Sequence, residues 1–428
     1  MSTQTAPEAG ELPAILGGFD LTDQSAYAAG LPYELFARLR RDEPLLHHPP
    51  GHSADGEGFW VLTRHADVVG VTRSPDFSAQ GGGGRAGGGT HLDDMPAGVH
   101  AGVLLPMMDN PRHDAIKHLL SPAVTGEVAA RLGEELRGRA RALVDDAVDR
   151  GSADFVDDVS EPFALESMAL LLGVPPEDWA QLTTWVHGVL GFTNRRTGES
   201  DAYSIATFTA MQEYFTDFVG RKRARPGHDL GSLLAVGELP ESLGLAPLSD
   251  REREGNAVLF LVSGFEQPRN TIAAAVLAFA QFPEQWEALR ADRSLMPGAI
   301  EEILRWAPAN PYNRRTAVRD VELHGQVIKA GEKVTLWWPS ANRDEAVFEN
   351  AASFDIRRPR NPHVSFGHGM HSCLGDEVGR LQIRLVLEAL LDRVAAFRLT
   401  GPEQWGPNNK HTVLLDLPVE FVETGSES

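Results

Sequence analysis

The chain has 428 residues, 42% hydrophobic and 23% charged, enough apolar material to bury a large core and too much for disorder over most of its length. Its 39 lysines and arginines stand against 60 aspartates and glutamates, a net charge of −21, so the phosphate attraction that drives nucleic-acid binding is missing. No apolar run approaches the ~20 residues of a membrane span, and Met1 to Glu11 lacks the regions of a signal peptide, so a soluble cytoplasmic protein without a membrane partner is expected.

In chain order, residues 1–17 are polar and small and read as a loose tail, as do residues 424–428. No repeat and no linker divides what lies between, so residues 18–423 are expected to form one domain. Pro32 to Arg41 has the pattern of a helix, Phe59 to Leu62 that of a strand, and His65 to Val71 that of a second helix. The segment Gly81 to Gly89 holds seven glycines around Arg85 and Ala86 and is expected to be a mobile loop, either a flexible lid or a plain surface loop. It lacks the lysine and the strand-to-helix setting of a phosphate-binding loop. Helical patterns follow over Ala129–Arg150, Glu161–Leu172, Glu177–Leu190 and Ala202–Lys222. The longest runs from Ser249 to about Phe282, where Ser249 and Glu252 make a capping box. At ~1.5 Å per residue its roughly thirty residues would cross a whole domain, and burial along much of its length is expected. The fold class is mainly α with small β-sheets.

The chemistry concentrates in Phe366-Gly367-His368-Gly369-Met370-His371-Ser372-Cys373-Leu374-Gly375. Its glycines permit a tight turn, and Leu374, Val378, Leu381 and Leu385 then recur at helical spacing, so Cys373 lies where a loop enters a helix. Unpaired amides and the positive end of a helix dipole stabilise a thiolate, the form that ligates metal. With one cysteine in the chain, no intrachain disulfide and no cysteine-only metal cage can form. Two other readings remain: a small buried hydrophobe, and a zinc or iron site built from His363, His368, His371 and Cys373.

The pattern F-G-x-G-x-H-x-C-x-G resembles the haem-binding loop of the cytochromes P450. Glu302-Ile303-Leu304-Arg305 resembles the E-x-x-R of the same family, at the usual distance upstream. Ser340-Ala341-Asn342-Arg343-Asp344, with Val347-Phe348 and Phe354-Asp355, is similar to the segment before its haem loop. Met108-Asp109-Asn110-Pro111-Arg112-His113 looks like the helix that touches the haem edge. The resemblance is close over about a third of the chain.

It implies a cytochrome P450 fold with a long central helix over haem b and Cys373 as the axial ligand of the iron, in a loop that includes Phe366 and Gly367. His113, Lys117, Arg315 and His363 would contact the haem propionates, because buried carboxylates require paired donors. Glu302 and Arg305 would be structural. Ser263-Gly264-Phe265-Glu266 fits the oxygen-activating stretch of the family, but Gln267-Pro268 stands where threonine is common. An amide is a poorer proton relay than a hydroxyl, so Glu266, water or a substrate group would have to carry protons. Pro268 cannot donate to the Gly264 carbonyl, so the helix is expected to open there. Gly264, Glu266 and Gln267 are therefore the candidate catalytic positions.

Substrate contacts are expected from the glycine-rich segment, from Leu190 to Thr197, from Phe260 and Ser263, from Ala309 to Tyr312, and near Thr412 to Leu414, including Val413. With Phe265 these suggest a partly aromatic, apolar pocket for an organic small molecule. The reaction implied is an oxidation using O2 and external electrons in natural-product biosynthesis, by hydroxylation, coupling or cyclisation. A steroid or branched-lipid hydroxylase, a peroxide-driven enzyme and a haem sensor without turnover remain as alternatives. No flavin or nicotinamide fingerprint is present, so a ferredoxin or flavodoxin donor with its reductase is implied, docking where Arg112, Lys117, His118, Arg380 and Arg384 could form a basic patch.

Overall fold

Ser249 caps the long helix, Asp250–Gln281, with its side chain accepting from Glu252 N and the Glu252 carboxylate accepting in return from the Ser249 amide. The computed structural model describes residues 10–53, 55–189 and 202–424. From Ile272 to Phe279 every residue of this helix is buried, which a helix surrounded by others requires. Helices Glu161–Leu172, Ala202–Ala224 and Asp376–Arg393 pack around it, and Gly126–Asp149 lies against Asp376–Arg393. The fold is mainly α with small sheets.

Five strands form the largest sheet, in the order Leu45–His48, Phe59–Leu62, Lys333–Trp337, Tyr312–Ala317 and Phe77–Ser78. Lys333–Trp337 runs parallel to Phe59–Leu62 and antiparallel to Tyr312–Ala317, so the N-terminal and C-terminal portions of the chain share one sheet. A smaller sheet joins Val394–Leu399, Pro418–Glu423 and Ser152–Asp154. The expected loose tail is corrected from Gly10 onward: Gly10 N–H bonds to the Pro50 carbonyl, and Leu16, 1% exposed, packs with Leu21, Phe36 and Phe59.

The glycine-rich segment is not a mobile lid. Gly87–Gly88 pairs antiparallel with Met95–Pro96, and Arg85 forms ion pairs with Glu57 and Asp94. Gly83 sits at φ 60°, where a Cβ would stand inside 3.0 Å of Gly331 N and the Ala317 carbonyl. The glycines are there because backbone presses on backbone, a close approach that composition alone does not distinguish from looseness.

The long helix runs unbroken through Pro268, against the expected opening. One amide is lost, but the next residues are pinned sideways. Arg269 donates to Glu161 at 2.8 Å and to the Leu414 carbonyl at 2.9 Å, and Asn270 accepts from Leu414 N at 3.3 Å. Tertiary bonds on the flank hold the axis that the ladder alone would not.

Candidate active site

Cys373 lies three residues before helix Asp376–Arg393, in a loop drawn tight by its own backbone. Its amide donates to the Phe366 carbonyl at 2.7 Å, and Gly367 and Gly369 turn at φ 72° and 69°. A Cβ on Gly369 would press on the Thr72 carbonyl, so the loop is docked on helix His65–Arg73. The Phe366 ring lies under Arg380, 4.7 Å from guanidinium carbon to ring centre. Cys373 is solvent-accessible, with enough protein around it to desolvate its thiol. Burial pushes its thiol above the ordinary value, against the Gly375 amide, Lys117 and Arg380, which favour the thiolate.

On one side of this loop the structure gathers His113, Lys117, Arg315 and His371. The rings of His113 and His371 stand 4.3 Å apart. Burial, with Arg315, His113 and Lys117 close by, pushes the His371 imidazole down to about 2, and its Nδ1 is buried with no hydrogen-bond partner. Arg315 is buried, donates to the Arg314 carbonyl at 2.8 Å, and forms no ion pair with a carboxylate among the described residues; burial lowers it to about 10. Lys117 donates to the carbonyls of Met370 and Ser372 at 2.8 and 2.6 Å, tying the cysteine loop to helix Arg112–Leu120. His113 Nδ1 already meets Asp114 Oδ1 at 2.9 Å, but Arg315 and the unpartnered Nδ1 of His371 beside it suit an anion, and the carboxylates of a haem fit the donor set.

His363 is not in this cradle. Its Nε2 meets Glu301 Oε2 at 3.0 Å, and Arg380 donates to the same carboxylate at 2.7 Å. Against the upward push of burial, His363 and Arg380 hold the Glu301 carboxyl down at about 2. The residue that completes the cradle is His371, two positions before the cysteine; the sequence reading used it only for the zinc alternative. That alternative fails on geometry: His368 turns to Arg73 at 3.1 Å, His363 to Glu301 and His371 to His113. Among the described residues no group of three or more His, Cys, Asp or Glu side chains could hold a metal ion.

The Glu301 pair carries a pH prediction. A carboxyl whose folded value is depressed binds fewer protons than the unfolded chain, so its contribution is present above its ordinary 4.5 and fades as pH falls toward 2. Glu301→Gln is expected to lower the urea midpoint at neutral pH, with the deficit shrinking as the pH is lowered through that window. A deficit independent of pH would show that packing, not charge, is what Glu301 contributes.

Glu302 and Arg305 are both fully buried and joined at 2.7 and 2.8 Å. Arg305 also donates to the carbonyls of Asn342, Ala351 and Ser353 at 3.0, 2.9 and 2.8 Å, and Glu302 accepts from Arg358, Asn361 and the Asp355 amide. The pair thus clasps the segment leading to the cysteine loop.

On the long helix, Phe260, Ser263 and Gln267 are partly accessible, with Ser263 Oγ donating to the Leu259 carbonyl at 2.7 Å. Met168 occupies the space where a side chain on Gly264 would stand, so this glycine admits helix Glu161–Leu172. Phe265 is a core residue. Tyr312, 3% exposed, packs on Trp337 in the cluster beside the large sheet, and Val413 is 1% exposed, so neither lines an open pocket. Ala309 is partly accessible and its carbonyl accepts from Thr412 N at 2.8 Å. Leu190 to Thr197 lie outside the described residues.

Glu266 is buried, and its Oε2 stands 3.3 Å from Nδ1 of His411. The Gln267 amide nitrogen lies 3.2 Å from that same Nδ1 and 3.4 Å from Asn310 Oδ1. His411 gave no signal in sequence: a lone histidine in a turn, next to the segment expected near substrate, becomes part of the site only through folding.

The basic patch is largely spent internally. Arg112 pairs with Glu252 at 2.6 Å, Arg380 with Glu301 and Asp376, and Lys117 with the cysteine loop, leaving His118 and Arg384 exposed.

Residues 269–419 match the family model described as Cytochrome P450. The chain is 40% identical over 409 residues to a Mycobacterium tuberculosis protein with the provisional name cytochrome P450 126, covering 95% of this chain and 98% of that protein. It is 35% identical over 411 residues to linalool 8-monooxygenase of Pseudomonas putida, covering 94% and 98%, and 34% identical over 398 residues to steroid C26-monooxygenase of Mycolicibacterium smegmatis, covering 92% and 91%. Among solved structures, Mycobacterium marinum cytochrome P450 CYP268A2, in complex with pseudoionone, matches with TM-score 0.84 and 29% identity over 94% of this chain and 98% of that one. The LnmA hydroxylase of the leinamycin biosynthetic pathway of Streptomyces atroolivaceus matches with TM-score 0.77 and 29% identity over 90% and 95%. No helix among the described residues is long and apolar enough to cross a membrane.

Proposed function

Because the chain belongs to the cytochrome P450 family, a family of haem b oxidoreductases, we propose that it is a monooxygenase that tailors a natural product, with Cys373 as the residue that would ligate the iron. The observation that carries the reading is the anion-seeking cradle of His113, Lys117, Arg315 and His371 beside an accessible cysteine in a rigid loop. Haem b supplies the redox chemistry at its iron. Arg315, His113 and His371 would hold its carboxylates, Lys117 would lock the cysteine loop, and Phe366 with Gly367 would shape the thiolate side. Phe260 and Ala309 would offer apolar surface to an organic substrate beside the Ser263 hydroxyl, which donates to the Leu259 carbonyl, while Glu266 and Gln267 would govern protons.

The replacement of the usual threonine by Gln267 supports a tailoring role, in which the outcome is hydroxylation or an oxidative coupling or ring closure. Electrons would come from a ferredoxin or flavodoxin with its reductase. With Arg112, Lys117 and Arg380 committed to internal partners, that docking face rests on His118, Arg384 and shape rather than on a broad basic patch. A second reading, hydroxylation of a steroid or branched lipid, is favoured by the 34% identity to a steroid C26-monooxygenase.

The test is spectral. The purified holoprotein, reduced under carbon monoxide, should show the far-shifted Soret band of a thiolate ligand. Polyketides, peptides, terpenoids and steroids are then compared by the spin-state shift each induces and by NADPH-dependent product formation. Tight shifts confined to steroids would overturn the tailoring reading, and product formation without reductant would point to a peroxide-driven enzyme instead.

A further inference from the structure

Among the described residues, the nitrogen Nδ1 of His411 meets two polar groups that ask opposite things of it. At 3.2 Å the Gln267 amide nitrogen is a donor, which requires Nδ1 to be bare. At 3.3 Å Glu266 Oε2 is in ion-pair range of the ring without a hydrogen bond between the two, a contact that favours the charged ring, in which Nδ1 carries a hydrogen. One protonation state of the ring satisfies Gln267 and the other satisfies Glu266.

The geometry holds this nitrogen in place. The amides of Lys410 and His411 both donate to Asn408 Oδ1, at 2.8 and 2.9 Å, Thr412 N is tied to the Ala309 carbonyl, and the Leu414 carbonyl is tied to Arg269. Gln267 is fixed from its other side by Asn310. The side chain of His411 is 23% exposed while that of Glu266 is 1% exposed, so the histidine stands between solvent and a carboxylate that bulk water does not reach. Among the described residues the nearby charges have partners of their own: Arg269 pairs with Glu161, Lys410 lies 3.8 Å from Asp93, and His91 is buried beside Lys410 and His411.

We infer that His411 is the proton-loading residue of this site, passing a proton from water to Glu266 while Gln267 binds the ring in its unloaded state. The balance involves no electrons. In the unloaded ring Nε2 carries the hydrogen and bare Nδ1 accepts from Gln267; a proton from water loads Nδ1 as that contact opens, giving the imidazolium, and then moves to Glu266 Oε2, which restores the neutral ring with Nδ1 again bare for Gln267. Gln267 is thus a positioning residue for His411, and its amide is suited to that task where a threonine hydroxyl is not. The inference rests on the haem-thiolate monooxygenase reading and assigns the route by which that chemistry is supplied with protons.

The experiment uses ferric holoprotein and the variants His411→Phe and His411→Asn; asparagine keeps a polar contact to Gln267 but carries no exchangeable charge. The carboxyl stretch of Glu266, identified by its disappearance in Glu266→Gln, is followed by infrared difference spectroscopy against pH. Both variants should protonate Glu266 at a pH higher by about one unit or more, because the carboxylate has lost its imidazolium partner. NADPH-driven peroxide formation with a surrogate ferredoxin and reductase, which needs no added substrate, should slow by about tenfold or more and show a larger solvent deuterium isotope effect. A shifted carboxyl band with unchanged rate and isotope effect would make His411 an electrostatic partner only and overturn the relay, as would wild-type behaviour of His411→Asn. Absence of the thiolate band in the wild-type reduced carbon monoxide spectrum would fault the haem-thiolate reading instead.

Discussion

Glu302→Ala is expected to cost about 3–5 kcal/mol of stability, as the removal of one partner of a buried ion pair does, out of the ~5–15 kcal/mol that holds a typical native protein. Arg305 and Arg358 both converge on this carboxylate, along with Asn361 and the Asp355 amide, so its loss leaves two guanidinium groups without a counter-charge in the interior. Arg305→Ala should be the milder change, since Glu302 keeps Arg358 and Asn361, and the carbonyls of Asn342, Ala351 and Ser353 are what lose their donor. The order Glu302→Ala below Arg305→Ala below wild type, in thermal melts and in haem bound per chain, is the expected result. The reverse order would mean that satisfying the carbonyls outweighs neutralising the charge. Because these carbonyls belong to the segment that leads into the cysteine loop, haem content should fall together with stability rather than after it.

What could be read from sequence follows the range of the interactions concerned. The Ser249–Glu252 cap, the span Glu161–Leu172 and the long helix are local facts, set by capping chemistry and periodicity, and the sequence reading places them within a residue or two. The glycine-rich segment reads wrongly because glycine density signals backbone freedom and equally well backbone crowding, and only Gly331 and Ala317, far along the chain, decide between them. Pro268 reads wrongly for a related reason: loss of one ladder bond is local, whereas Arg269 and Asn270 are held by Glu161 and Leu414. His363 and His371 are equally plausible cations by composition. Glu301, one turn before the end of its helix, claims the first and leaves the second to the cradle. His411 is the extreme case, since its meaning lies wholly in a helix well over a hundred residues away in sequence.

Cys373→Ser is expected to abolish the far-shifted Soret band of the reduced carbon monoxide complex and to reduce turnover by more than the ~10–100-fold that loss of an outer-shell metal partner costs. A serine hydroxyl has nearly the shape of the thiol but neither its softness nor its acidity, so it cannot supply the electron-rich axial donor. The loop itself should survive, because its geometry is set by the Cys373 amide to Phe366, by Lys117 to Met370 and Ser372, and by the docking of Gly369 on Thr72, none of which uses the sulfur. Haem should therefore still bind if Arg315, His113 and His371 hold it as proposed, and the variant would separate the two proposed roles: carriage of the cofactor by the cradle and activation by the thiolate. His363→Ala is the matched control. Its ring is bound to Glu301, so the band should persist, whereas any site ligated jointly by His363 and Cys373 would lose its spectrum in both variants. A haem-free Cys373→Ser protein with unchanged folding would instead place most of the binding free energy on the iron–sulfur bond and reduce the cradle to orientation.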